Sequence, residues 1–530
     1  MAHDTVNRPL ARPVRALKLR PLTPLRWPAR LGLAVLAWSL CAGPAWPQRN
    51  ALPSLGEGEG ISLAAERQLG DRIIRELYRD PDYLEDAVLD DYVQKLWTPL
   101  IDAAVARGEL SPELRERFAW RILLGKDRSV NAFALPGGYL GVHLGLIAVV
   151  TSRDELASVL AHELTHVTQR HIARSMEAQG RMTPWVIGSM ILGALAASKS
   201  PQATQALVVG GQAAAIQSQL SYSRDMEREA DRIGFGVLSE AGYDPRGFVT
   251  MFGKLQQAAG VNDNGAFPYL RSHPLTTERI ADMHSRLPLG AAISSVPQDM
   301  EQAMVSARAR VLSQSQVDSL RAWTQLPQSL PAQATPAQKA GSLYAAALAH
   351  QMLREPAQAR QQWQALQTLT ASHTTAARLT RLLGADLQAA RGEYAQLVQG
   401  LQPSSMVAQW PRPELVTVAQ ALAHLPGHPA TASVVQQLRQ QVQSTPHDAQ
   451  AWNLLGTLQA AQGQKLASLR AEGEAQLVRM DLQGALDRFR AAQDVARSGQ
   501  LKPGDHIEAS IVDTRVREIQ EQLRELQKAR

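Results

Sequence analysis

Between Glu155 and Val167 the chain places His162, Glu163 and His166 in the order His-Glu-x-x-His. Residues four apart share a helix face, so the two imidazoles can present themselves to one divalent ion. The segment has no internal Pro or Gly, and Asp154 is the expected N-cap. On a wheel of about 100° per residue, Leu156, Val159, Leu160 and Val167 form an apolar stripe, and Glu163 falls in its middle. An unpaired carboxylate there would be costly to desolvate. A zinc ion with its bound water explains it, because that water needs a carboxylate base beside it. The chemistry implied is metal-assisted hydrolysis.

Such a centre needs a third protein ligand. The metzincin pattern would put Gly at 169 and His at 172, where this chain has Gln169 and Ile172. That class is rejected, and His171, one residue out of place, reads as helix surface. A better source is the run Ser223 to Gly234, in which Glu227 and Asp231 lie four apart on one face. Small Ala230 and Gly234 would let this helix approach another closely. A carboxylate from Glu227 completes a two-His, one-Glu set with a fourth position open for water. Asp231 could then orient a ligand imidazole from behind. Taken alone, the same run also reads as a solvated, salt-bridged helix.

Elements of several kinds must position these residues. Residues 61–110 carry a helical apolar stripe that includes Leu69, Ile73, Ile74 and Leu77. Trp120 to Leu124 and Ala132 to Leu135 read as short strands, Pro136-Gly137-Gly138 as a turn, and Tyr139 to Val142 as a return strand. The hairpin from Phe133 to Val142 could line the cleft as an edge or simply complete the sheet. From Arg153 to about Leu287 the pattern is helical again. Two apolar runs within it, Trp185 to Ala197 and Ala206 to Ile216, are too short to span a bilayer and read as a helical hairpin.

From about Gln338 onward come helical hairpins rich in Ala, Leu and Gln. Ala359 with Trp363, and Ala485 with Phe489, have the small-to-aromatic spacing of a tetratricopeptide second helix, while Trp452, Leu455 and Gly456 fit a first helix. The period is imperfect: Ser468 and Glu472 stand where Gly456 would expect Ala and an aromatic, and Phe489 fits a unit whose Gly is Gly473. A degenerate repeat is expected, with protein binding as its default role. An unrelated helical bundle is the other reading.

Composition bounds the rest. The 530 residues are 45% hydrophobic, 20% charged and only 5% aromatic, which excludes a disordered chain and argues against an all-β protein. The net charge of +6 arises at the N-terminus. Residues 1–45 hold seven of the 55 basic residues and one of the 49 acidic ones, leaving 48 of each. Nucleic-acid binding therefore has no support. The same residues read as an export signal: a basic stretch, an apolar core from Leu31 to Leu40, then a small-residue run with cleavage expected near Ala45. Cys41 is the single cysteine, and Leu40 before it is too large for a lipoprotein site. The exported chain would contain no disulfide.

His162 to His166, the later Glu227 with Ala230 and Asp231, and Ser272-His273-Pro274 resemble the gluzincin metallopeptidases related to the Ste24 and HtpX proteases. Asn131 to Tyr139 and Leu52 to Gly56 resemble the same family, and the likeness is specific over residues 52–287. The export signal and C-terminal repeats resemble its periplasmic branch. By that resemblance Glu227 is the third zinc ligand, and His273 sits on a loop that can fill the fourth position and keep the enzyme latent. Arg279 would lend positive charge near a developing oxyanion.

The expected architecture is mainly α. A signal at 1–45 precedes a zincin-like α+β metalloprotease domain with a small sheet at 46–330, and a tetratricopeptide-like helical domain at 331–530 follows. It would hold one Zn2+ per chain, with Glu163 as base and at most peripheral membrane contact. The resemblance implies periplasmic quality control, with outer-membrane β-barrel proteins as clients and their assembly machinery as partner. A chaperone-like protein with a silent site, or a prenyl-type processing peptidase, are the rival readings.

Overall fold

The computed structural model describes residues 61–178, 222–260, 267–288, 299–402, 409–498 and 504–528. The export signal, the lead-in before residue 61, and the apolar runs at 185–197 and 206–216 lie outside the described residues.

The fold is mainly α with one small sheet. Helix α1 (Leu63–Leu77), strand β1 (Tyr83–Leu84), helices α2 (Ala87–Ala106) and α3 (Pro112–Arg117), and strands β2 (Arg121–Gly125), β3 (Ala132–Leu135) and β4 (Tyr139–His143) come first. Helices α4 (Leu144–Val149), α5 (Arg153–Thr168), α6 (His171–Ala178), α7 (Arg224–Glu240), α8 (Arg246–Gly260), α9 (Tyr269–Ser272), α10 (Thr277–Arg286) and α11 (Met300–Ser313) follow. The sheet order is β1-β2-β4-β3, with β2 and β4 parallel and the other pairs antiparallel. The β3–β4 hairpin forms as the sequence suggests. Gly137 and Gly138 take φ of 75° and 85° at its turn, a conformation costly for residues with a Cβ. Strand β3 is the outer edge and packs on α5.

Helix α5 is the hub: α2, α7, α8 and β3 all pack on it, and every residue from Asp154 to Thr168 is buried. Its N-cap is Ser152, not Asp154, with the Ser152 hydroxyl accepting from Glu155 N at 3.2 Å. Asp154 lies one step inside the helix, where its side chain accepts from Asp244 N at 3.0 Å and ties α5 to the start of α8. Lys254 of α8 adds a second tie, its Nζ 2.6 Å from Glu155 Oε2. Ser and Asp both cap helices well, so residue type alone does not fix the cap and the helix's starting point does.

Beyond α11 successive helices pack in chain order, from Pro336–Met352 to Asp505–Lys528. Aromatic rings fill glycine gaps between neighbours: Trp363 lies on Gly384 and Phe489 on Gly473, where an added Cβ would stand 2.8 Å from each ring. Gly456 faces Ser468 and Glu472.

A row of acidic residues at the start of α2 joins this array to the sheet-bearing part. Glu85 pairs with Arg479 at 2.7 Å, Asp86 with Arg308 at 2.7 Å, Asp91 with Arg378 at 2.9 Å, and Asp90 with Arg412 at 3.1 Å. The arginines come from four different helices or helix ends, and each of Arg308, Arg378 and Arg412 also holds a carboxylate of the array: Asp386, Glu414 and Asp448.

Asp90 is the crowded member. Burial pushes its carboxyl up to about 6, Arg412 opposes this, and Asp448, Asp91 and Asp86 add to the rise. A carboxyl raised in the folded state stabilises fully below the unfolded value of 3.8, and that contribution is lost as pH climbs through about 6. Asp90→Asn should therefore raise the thermal midpoint at pH 7.5 relative to wild type, with little gain at pH 4. Equal shifts at both pH values, read by calorimetry, would contradict the assignment.

Candidate metal centre

Three helices and one loop converge on a buried cluster. His162 and His166 come from α5, one turn apart. Glu227 and Asp231 come from α7, whose N-cap Ser223 accepts from Met226 N at 3.2 Å. His273 follows α9, and Arg279 lies in the first turn of α10. All are at most 4% exposed, and Glu163 is fully buried.

The close approach of α7 to α5 depends on Gly234. A Cβ there would stand 3.1 Å from Ala161 O and 3.2 Å from His162 N, inside ordinary contact distance. The small residues noted in the sequence are thus at the crossing itself.

The donor atoms have the spacing of a metal polyhedron. His162 Nε2 is 3.0 Å from His166 Nε2 and 3.6 Å from Glu227 Oε2, and His166 Nε2 is 3.5 Å from Glu227 Oε1. His273 Nδ1 is 3.3 Å from His162 Nε2 and 3.0 Å from Glu227 Oε1. A tetrahedral zinc site with bonds of about 2.0–2.1 Å has donors about 3.3–3.4 Å apart. One ligand atom from each of these four residues lies within 4.8 Å of the others, so His273 stands where it could supply a fourth donor.

Electrostatics point the same way. Glu163, Glu227 and Asp231 bring three buried carboxylates, and Arg279 is the buried guanidinium that faces two of them. Among the described residues neither oxygen of Glu163 has a hydrogen-bond partner, and His273 Nε2 stands 3.4 Å from one of them. A divalent ion on neutral imidazoles would bring the sum to zero, and a water beside it would partner Glu163. The residues fit a metal on both counts.

The appetite for positive charge is visible at His162: burial disfavours its proton, but Asp231 and Glu227 pull the group up to about 9. His166, buried and next to His162, is held well below the usual histidine range. Burial pushes Glu227 up, yet His273 and His162 bring it well below the usual carboxylate range. Asp231 is likewise lowered by Arg279 and His162 against the effect of burial.

The seven residues singled out from sequence are all brought together, though one sequence expectation, the surface placement of His171, needs correction. Arg279 lies against the carboxylates of α7. Its Nε and Nη2 grip both oxygens of Asp231 at 2.6 and 2.8 Å, and Nη1 lies 2.7 Å from Glu227 Oε2 and donates to Pro274 O at 2.9 Å. The guanidinium clamps the carboxylates and the His273 loop, because buried carboxylates compete for its donors. Asp231 in turn lies 3.0 Å from His162 Nδ1, behind the ligand.

His171 is not helix surface. It is 0% exposed, with its ring 4.9 Å from that of His166. The sequence reading assumed one continuous helix, whereas α5 stops at Thr168 and Arg170 takes φ of 52°. Two tyrosines escaped notice altogether: Tyr222 stacks on His166 at 3.8 Å, and Tyr269 on His273 at 4.5 Å. The position of Tyr222 just before the Ser223 cap was the one available signal.

Residues 99–287 match the model of peptidase family M48. The chain is 29% identical to the beta-barrel assembly-enhancing protease of Yersinia pestis over 91% of this chain and 95% of that one. It is 35% identical to the protease of the same name in Escherichia coli strain K12 over 45% of this chain, which spans 47%, about half, of that relative. A mitochondrial metalloendopeptidase of Arabidopsis thaliana is 33% identical over 37% of this chain and 36% of its own. The M48 match contains all seven site residues, and a metallopeptidase domain of this family implies a divalent metal.

Crowding the helix crossing tests the geometry. Gly234→Val should cost about 1–3 kcal/mol of stability by overpacking, and should weaken metal retention. Gly253→Ala, where an added Cβ meets nothing within 4 Å, should be neutral or stabilising. Unfolding curves and metal content of both variants give the comparison.

Proposed function

We propose that this protein is a zinc-dependent endopeptidase of the periplasm acting in protein quality control, degrading misassembled outer-membrane β-barrel proteins and assisting assembly of others. The observation that carries the reading is the four-donor cluster with an unpartnered, fully buried Glu163 beside it. The relatives named for barrel assembly support the choice of client, and the export-signal reading of residues 1–45 supports the compartment. Among the described residues no helix is long and apolar enough to cross a membrane, which disfavours an embedded prenyl-type processing enzyme.

His162, His166 and Glu227 would hold the ion, which when bound polarises the scissile carbonyl and acidifies water. Glu163 takes the proton of the attacking water as its oxygen bonds to the carbonyl carbon. It then delivers that proton to the amine as the carbon–nitrogen bond breaks. Asp231 fixes the His162 ring, and Arg279 keeps Asp231 and Glu227 in place. The helical array would recruit protein clients or dock on the assembly machinery.

A binding protein with a latent site is the second reading, favoured by one observation: His273 fills the fourth corner. Two substitutions separate the readings. Glu163→Gln should keep zinc and lower cleavage of a casein-type substrate by about 10²–10⁴-fold; full envelope function in that variant would favour binding over catalysis. His273→Ala should raise cleavage at unchanged zinc content. Unchanged activity and zinc would remove His273 from the site.

A further inference from the structure

The machinery described so far leaves one buried histidine beside a ligand without a task. His171 Nδ1 lies 2.8 Å from His166 Nδ1, and its other nitrogen, Nε2, lies 3.1 Å from Glu229 Oε2. Glu229 is on α7, two residues beyond Glu227, and accepts from Arg174 Nη1 at 2.8 Å.

We infer that His171 is a positioning residue for the metal ligand His166, and that Glu229 sets its tautomer. The argument rests on the metal reading of the site and on proton counting. The Nε2 of His166 faces the donor cluster, so as a neutral ligand the ring carries its proton on Nδ1. Two Nδ1 atoms at 2.8 Å form a hydrogen bond only when one is bare, and the bare one is therefore His171 Nδ1. A neutral His171 then carries its proton on Nε2, pointed at the Glu229 carboxylate. The chain runs from His166 Nδ1–H to His171 Nδ1, and from His171 Nε2–H to Glu229. Each bond polarises the next and makes His166 a better donor to the ion.

The backbone is built to place this ring. In a continuous helix His171 would sit roughly 140° around from His166 at about 100° per residue. The left-handed Arg170, at φ of 52° in a region that residues other than glycine rarely adopt, folds the chain back instead. Arg170 holds the turn through Nε to Glu66 Oε2 at 2.8 Å and a second bond to Ile61 O.

A relay also suits the charge count. His162 has a buried carboxylate, Asp231, directly behind it. A further one behind His166 would unbalance a site already neutral with a divalent ion. His171 passes the effect to Glu229, whose side chain is 28% exposed and paired with Arg174.

The test uses the full chain stripped of metal and titrated with zinc against a chromophoric chelator, with thermal unfolding of the metal-free forms as a fold control. His171→Leu, which removes the acceptor, should weaken zinc binding about 10–100-fold. His171→Asn, whose amide oxygen can stand near the Nδ1 position, should recover most of that loss. Glu229→Gln should weaken binding less than His171→Leu. In nitrogen-15 spectra of the zinc-loaded protein, the His166 Nδ1–H should exchange with water faster in His171→Leu than in wild type.

Wild-type affinity in His171→Leu would overturn the inference, as would a His171→Asn variant as weak as Leu with its metal-free fold intact. Should His171→Leu not fold, His171→Asn and Glu229→Gln decide: loss of zinc in Asn as large as in a His166→Ala control overturns the relay. Failure of the wild type itself to bind zinc is a different outcome, and sinks the metal reading beneath it.

Discussion

Three carboxylates sealed from water beside one guanidinium are a standing electrostatic debt, and the peptidase domain is organised around settling it. Burying an unpaired carboxylate costs several kcal/mol even after relaxation, by the usual order of magnitude. Arg279 meets part of the demand by gripping Asp231 and approaching Glu227. Glu163 is left without a partner at the centre of the most buried helix in the domain. A divalent ion and a water are the species whose charge and donors match what is missing.

That requirement explains the scaffold. The two carboxylates of α7 reach the imidazoles of α5 because Gly234 lets the backbones touch, and α5 is fixed at its start by Asp154 and Glu155 holding α8. Further side chains contact the two imidazoles from behind: Asp231 at His162, and the His171–Glu229 pair at His166. The His273 loop, held by Arg279 through Pro274 O, brings a third imidazole against the cluster.

The acidic residues at the start of α2 give the helical array a specific seat. Four arginines from separate helices or helix ends meet Glu85, Asp86, Asp90 and Asp91, and α2 itself packs on α5. The array therefore stands one helix away from α5, which carries His162, Glu163 and His166. Arginine's planar fork suits this use, since Arg308, Arg378 and Arg412 each bridge a carboxylate on α2 or just before it to one of the array.

What the sequence determined by itself is what short-range geometry controls. His162 and His166 share a face because four residues make about one turn, and Gly137-Gly138 forms a turn because few other residues tolerate that backbone. The fit of Phe489 to Gly473 followed from spacing within a hairpin. Tertiary structure decided everything that needs distant segments to meet. It set Arg279 on the carboxylates of α7, made Ser152 and not Asp154 the cap of α5, and matched four arginines to one acidic row. It also buried His171, because a single left-handed residue broke the helical phase on which its surface placement depended. Periodicity carries information only while the element is unbroken, and a pairing across the chain leaves no periodic trace.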